Sequence, residues 1–457
     1  MSDRLVVQLI EWAPRTTNGG VERTVLLQVT EPTGVAGVGR FTCAGDDPAF
    51  VALGSADPQD DVVTSAGQLL LRAVSSSTDV VRDLFTRALT VQQPDSFPIY
   101  LDLSNAKESQ ALPWEALCTD DGVFFALEDR WPVGRMLTGT ANAVLDRTFE
   151  PPLRLAAVLA CLGIEAAGEW QALRDAVENS GAPVRVLLLV AEPELHDSIA
   201  ELGLDWLELA MVPRTYPDLQ RFISRFDPHL LHFFCHGRAT GGPHLEIATA
   251  PDQFDPAGGG HHRLEAKSIR ELVSAKEAPW VIVLNACETA ANDGDRDGAH
   301  SLAANLVVEQ GVPAVIGMRK PVLGSDAARF SSAFYTAVLT DLAKRVDQGP
   351  GDTTIDWAGY LVAARSALCR DRGATLDAVA ARYHEWTLPV VVARPGRFTV
   401  NVVVPAPGDA APREQATLTA DAAAAVLAAI AKLAPADTVE AFEQAMRVGR
   451  QRAGARP

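Results

Sequence analysis

Two apolar runs in this chain end in groups that can do chemistry. "HFFCHGRATGGPHLEI" puts His236 and Gly237 at the tip of one run, and "WVIVLNACETA" puts Cys287 just past another, between Asn285 and Glu288. A structural cysteine usually sits inside the apolar run. Cys287 lies beyond it, where a side chain reaches a cleft. A thiolate attacks a carbonyl, and a histidine takes the thiol proton and returns it to the leaving amine. The oxyanion that develops needs backbone N–H donors with close access. Gly237, which has no side chain, and the amide of Cys287 are the candidates. His236 precedes Cys287 by roughly 50 positions, as in one group of cysteine proteases, and a right-handed crossover between parallel strands would bring both tips to one edge.

The elements that must position them alternate in type. From about residue 152 the strand candidates are 153–162, 184–191, 230–236, 280–286, 312–318 and 388–394. Helical segments lie between them at 165–179, 215–226, 297–310, 325–344 and 354–370. Continuous apolar strands alternating with helices imply a mostly parallel sheet covered on both faces. In such sheets ligands gather beyond the carboxyl ends of the strands. Ahead of this region, "LVVQLIEW" and "RTVLLQV" read as strands around an Asn-Gly hairpin signal. Residues 60–92 read as mostly helical, 97–103 as a strand and "LPWEALC" (112–118) as a short helix. After about residue 396 come one strand, a Pro-rich joint and two helices, "TADAAAAVLAAIAKLA" and "DTVEAFEQAMRVGRQR".

The formal net charge of −18, with no basic run, argues against binding to nucleic acid or to an anionic membrane. The N-terminus lacks the apolar stretch of a signal peptide, and no segment has the ~20 apolar residues of a spanning helix. Cys43, Cys118, Cys161, Cys235, Cys287 and Cys369 are scattered without a CxxC pair, which suggests neither zinc nor a disulfide framework. The expectation is a soluble protein of a reducing cytoplasm with no metal or organic cofactor. A metal reading of His232, Cys235 and His236 fails because strand alternation sends Cys235 to the opposite face. The glycines of "GGVERT" and "GVAGVGR" precede no helix at phosphate-loop spacing. "ANDGDRDGAH", with Asp293, Asp295 and Asp297, reads as a solvated loop leading into a helix.

Together, "HFFCHG" and "VIVLNACETA" resemble the His-Gly and Cys boxes of the CHAT family, caspase-like cysteine peptidases of the caspase and separase clan. "LPWEAL", "SLAANLVVEQGVPAVIGM", "FSSAFYTAVL", "DWAGYLVAARSAL" and "EWTLPVVVAR" follow the family's order around them, over roughly residues 95–395. The resemblance implies a caspase-like three-layer α/β/α sandwich spanning 95–395. An N-terminal β-hairpin and helix extension (1–94) and a C-terminal strand and helical tail (396–457) would flank it. It implies a cysteine endopeptidase working through a thioester acyl-enzyme, with His236 as general base and acid and Cys287 as nucleophile. Gly237 would contribute to the oxyanion site, and Asn285 and Glu288 would line the substrate pocket. In arginine-specific members of the clan an aspartate stands where this chain has Asn285, so a basic P1 residue is not implied. An acidic P1 residue would need arginines, for which Arg238 and Arg319 are the candidates. The family context implies a particular protein substrate, an activating partner protein and a role in bacterial defence or cell death. An inert scaffold keeping the fold is the alternative. The P1 residue, the substrate, the activator and the oligomeric state stay unassigned.

Overall fold

The computed structural model describes residues 4–11, 15–17, 20–22, 24–31, 34–42, 47–53, 60–75, 97–238, 242–254, 262–273, 277–287, 289, 301–369 and 376–403. Glu288, the acidic loop 291–300, the second half of the 60–92 helical expectation and both C-terminal helices lie outside these residues. So does the Asn-Gly pair, although its flanking strands Arg15–Thr17 and Gly20–Glu22 do pair antiparallel. The described residues all belong to one compact unit, 1–404.

A 12-stranded sheet carries this unit. Its order is Leu207–Met211, Val184–Val190, Leu153–Leu159, Leu230–Phe234, Val281–Asn285, Ala314–Met318, Pro389–Ala393, Val133–Met136, Ile99–Asn105, Leu5–Glu11, Thr24–Glu31, Gly34–Thr42. The first six are mutually parallel. Pro389–Ala393 then runs antiparallel to Ala314–Met318, starting a second parallel block that continues to Leu5–Glu11. Two antiparallel strands close that edge. The N-terminal strands, expected in an extension, are therefore members of the main sheet. The strand expected in the tail, Phe398–Val402, pairs with Gly351–Ile355 and Asp146–Phe149 in a three-stranded sheet of the same compact unit.

The central strands of the sheet are buried along their length because both faces are covered. Val281–Asn285 and Leu230–Phe234 are buried at every position. Helices Ala167–Ser180, Gly324–Asp347 and Trp357–Cys369 form one layer, and Tyr216–Phe226, Ala266–Glu271 and Leu302–Val308 the other. The expected α/β/α sandwich with a mostly parallel sheet is present. The observed strands fall one to three residues short of the apolar runs at their C-terminal ends or start later, since the run continues into the loop that the strand delivers. "LPWEALC" forms only a short 3-10 turn, Trp114–Ala116.

A buried charge cluster ties that turn to the second parallel block. Arg135 donates from Nε to Glu115 Oε1 (2.9 Å) and from Nη2 to Glu115 Oε2 (2.6 Å). It also donates to the carbonyls of Gln110 and Leu112. Arg365, fully buried, donates to the carbonyls of Val133 and Pro389. Burial alone would raise the Glu115 carboxyl, but Arg135, with Arg319 and Arg365, holds it below the usual carboxylate value. A depressed carboxylate stabilises the fold above its unfolded value, and this contribution is lost as pH falls through the folded one. Removing one member strands the others in a dry interior. Glu115→Ala should cost about 3–5 kcal/mol at neutral pH, read by denaturant unfolding. The deficit relative to wild type should shrink as pH falls below about 4, where the carboxyl of the unfolded chain protonates while the folded one, held lower, still carries its charge.

Candidate active site

Three neighbouring parallel strands end at one edge and supply the site. Leu153–Leu159 leads to Cys161 and Leu162, Leu230–Phe234 to Cys235 and His236, and Val281–Asn285 to Cys287. Register pairs Leu159 with Phe234 and Phe234 with Asn285, so the three tips are level.

His236 is held through its ring. Nε2 lies 2.7 Å from the carbonyl oxygen of Leu162. A carbonyl only accepts, so Nε2 carries the hydrogen. In the neutral ring Nδ1 is then the free acceptor. Cys161 Sγ also approaches Nε2, at 3.7 Å. Cys161 is buried, and burial together with the neighbouring Cys287 and Glu192 pushes its thiol up to about 12. Cys235 faces the core as alternation requires, and burial, with Cys161 and Cys287 nearby, raises its thiol as well. Cys287 is half-buried and thus the more accessible of the three. Among the described residues, no hydrogen bond joins Cys287 to His236.

Gly237 is where the His and Cys loops meet. A Cβ on Gly237 would fall 2.1 Å from the carbonyl oxygen of Cys287 and 2.9 Å from Thr289 Cγ2. Only glycine lets these backbones approach so closely. Thr289 braces the Cys loop from the other side. Its hydroxyl donates to the carbonyl of Ala286 (3.0 Å) and accepts from the amide of Met318 (3.0 Å) on the next strand. The amide of Ala303, in the helix that follows, donates to the Thr289 carbonyl.

Asn285 is placed elsewhere than expected. It is 3% exposed, and its Nδ2, with two hydrogens to share, lies within hydrogen-bond distance of Glu169 Oε1 (3.1 Å), Ser331 Oγ (3.0 Å) and the Ala327 carbonyl (3.1 Å). The last strand residue points into the helical layer, so its amide is spent on structure. Glu169 Oε1 also accepts from Ser331 Oγ. His232 Nε2 stands 3.0 Å from the same oxygen, off the line of an ideal hydrogen bond, and His232 Nδ1 meets Tyr335 OH at 3.0 Å. This buried network, not visible in the residue spacing, ties the His strand to helices Ala167–Ser180 and Gly324–Asp347 at the same point as the Cys strand. The two candidate readers of an acidic P1 residue are already paired. Arg238 lies 3.3 Å from Glu246, and Arg319 donates to the Ala111 carbonyl at 2.8 Å with Glu115 at 3.8 Å.

The CHAT domain profile matches residues 68–349, more than half of the chain. Two solved structures are similar. One is the Arg-specific cysteine proteinase gingipain R, at 10% identity, covering 70% of this chain and 68% of that one with a TM-score of 0.39. The other is a complex of the pro- and mature domains of the Porphyromonas gingivalis protein, at 11% identity, covering 70% of each chain with a TM-score of 0.37. No curated protein matches the chain.

Brief alkylation of the native protein with iodoacetamide at pH 7.5, followed by peptide mass mapping, should modify Cys287 well before Cys118, Cys161, Cys235 or Cys369, which are all buried. Equal modification of Cys161 and Cys287 would contradict the described geometry.

Proposed function

The chain belongs to the CHAT domain family, and from that premise we propose that it is a cysteine endopeptidase acting on a particular partner protein. The observation that carries this reading is the 2.7 Å contact between His236 Nε2 and the Leu162 carbonyl. It leaves Nδ1 as the base, on a ring held between the tips of two strands. In this reading His236 Nδ1 takes the Cys287 thiol proton as sulfur attacks the scissile carbonyl carbon. The carbonyl π electrons move to oxygen, where backbone amides near Gly237 and Cys287 receive the charge. The tetrahedral species collapses, the C–N bond breaks, and His236 gives its proton to the departing amine. Water then attacks the thioester, losing a proton to His236, and the C–S bond breaks to release the acid and restore the thiol. No metal or organic cofactor enters these steps.

The proposed setting is a regulated effector of bacterial defence or cell death that needs an activating partner protein. Both parts of that setting rest on the family resemblance. Co-expression of wild type or Cys287→Ala with the neighbouring genes, followed by mapping of new protein N-termini, tests the reading. Cuts confined to wild type, and lost at least ~1,000-fold in His236→Asn, are expected. Cuts that persist in Cys287→Ala, or none at all with the partner present, would favour an inert scaffold. Rapid cleavage of diverse peptides by the purified chain alone would contradict the need for a partner.

A further inference from the structure

A cavity lies away from the edge that carries Cys287. It has a volume of about 220 Å³, and its lining includes Pro313, Ala393 and Arg394. Ala314 pairs with Ala393 at the far end of the ladder from Met318 and Pro389, and Met318 follows the same direction as the Cys strand. The cavity is therefore separate from Cys287.

Its walls have two characters. Tyr100, Trp357 and Phe398 give flat apolar surfaces, with the Trp357 and Phe398 rings 5.8 Å apart. Arg4 and Arg394 are cationic residues of the lining and Asp356 its carboxylate; Arg397, also in the lining, is engaged in an interaction of its own. That carboxylate accepts from Tyr100 OH at 2.5 Å, and burial raises it above the ordinary carboxylate value. Its other oxygen, Oδ2, is buried without a hydrogen-bond partner among the described residues, and Arg4 stands close enough to offset part of its burial.

Two lining donors are buried without a hydrogen-bond partner among the described residues. Trp357 is 3% exposed and its Nε1 has none; Arg394 is 6% exposed and its Nε has none. Arg394 does use Nη2, which donates to the carbonyls of Ala141 and Val308. Arg4 Nε is likewise unpartnered, with its guanidinium 5.0 Å from the Tyr100 ring centre. Native interiors rarely leave such donors orphaned, because each costs its desolvation. An indole N–H and a guanidinium N–H can only donate. What satisfies them must accept, and two of the three unpartnered donors are guanidinium groups, which favour an anion. The flat walls favour a planar apolar body, and the volume admits one small molecule, since it is below the ~300 Å³ of a typical drug-sized site.

We propose that this cavity binds a small organic anion whose carboxylate or phosphate group meets Arg4, Arg394 and Trp357 Nε1 and whose planar body lies against Trp357 and Phe398. The test uses the full chain with 15N-labelled tryptophan. Its indole N–H signals are followed during titration with benzoate, phenyl phosphate, inorganic phosphate and benzyl alcohol, the Trp357 signal being assigned by its loss in Trp357→Phe. Benzoate or phenyl phosphate should move that signal saturably, and the one acting at lower concentration identifies the anionic group. Inorganic phosphate and benzyl alcohol should need at least ten-fold more. Arg4→Gln should raise the half-saturation concentration about ten-fold. If Arg4→Gln melts well below wild type, Trp357→Phe serves instead. It keeps an aromatic ring and removes the donor, and calorimetry should find binding about five-fold weaker. Failure of both aromatic anions to shift the signal overturns the proposal. So does inorganic phosphate or benzyl alcohol acting as well as they do, or unchanged affinity in a variant that folds normally.

Discussion

The hydrogen bond from His236 Nε2 to the Leu162 carbonyl is the constraint on which the candidate site depends. It fixes which ring nitrogen carries hydrogen and which is left as an acceptor, the base of the proposed mechanism. It can form only because two adjacent parallel strands end level with each other. Leu159 pairs with Phe234, and each strand then continues into a short tip that delivers Leu162 or His236. The Cys strand, in register on the other side, completes the arrangement. The sheet is thus the device that brings together a carbonyl, an imidazole and a thiol far apart in sequence.

Two buried polar systems hold that edge. Beneath the tips, Glu169 accepts from Asn285 and Ser331 and lies beside His232, so the strands carrying Cys287 and His236 share one anchor in the helical layer. Beyond the neighbouring strand, Glu115 gathers Arg135 and Arg319, and Arg365 bridges two carbonyls nearby. Such groups are costly to bury and tolerate little rearrangement once paired. They explain why the site residues stand on rigid elements rather than on long loops. Gly237 adds the local condition that the two loops touch through their backbones.

Much of this could be read from the sequence. Apolar runs located the inner strands within a few residues, because a strand buried on both faces must be apolar throughout. The alternation of runs and helices gave the sandwich, and two boxes named His236 and Cys287. Other parts were hidden for physical reasons. Leu162 contributes a carbonyl, which every residue has, so no side-chain pattern marks it. Asn285 was expected at the substrate pocket, yet a polar residue at a strand end can turn toward either cleft or core, and partners distant in sequence decided it. Glu169 and His232 each look unremarkable in their own segments, and only folding brings them together. The N-terminal strands looked like an extension, since a hairpin signal does not say which sheet edge the hairpin joins.

The most direct test of the central claim is the tautomer of His236. Long-range 1H–15N correlation spectra of protein labelled on histidine, with the His236 signals assigned by their loss in His236→Asn, read the two ring nitrogens separately. Above the pH at which the ring loses its charge, the account predicts a protonated Nε2 and a bare Nδ1. A ring protonated on Nδ1 would contradict the bond to Leu162 and with it the assignment of His236 as the base for Cys287.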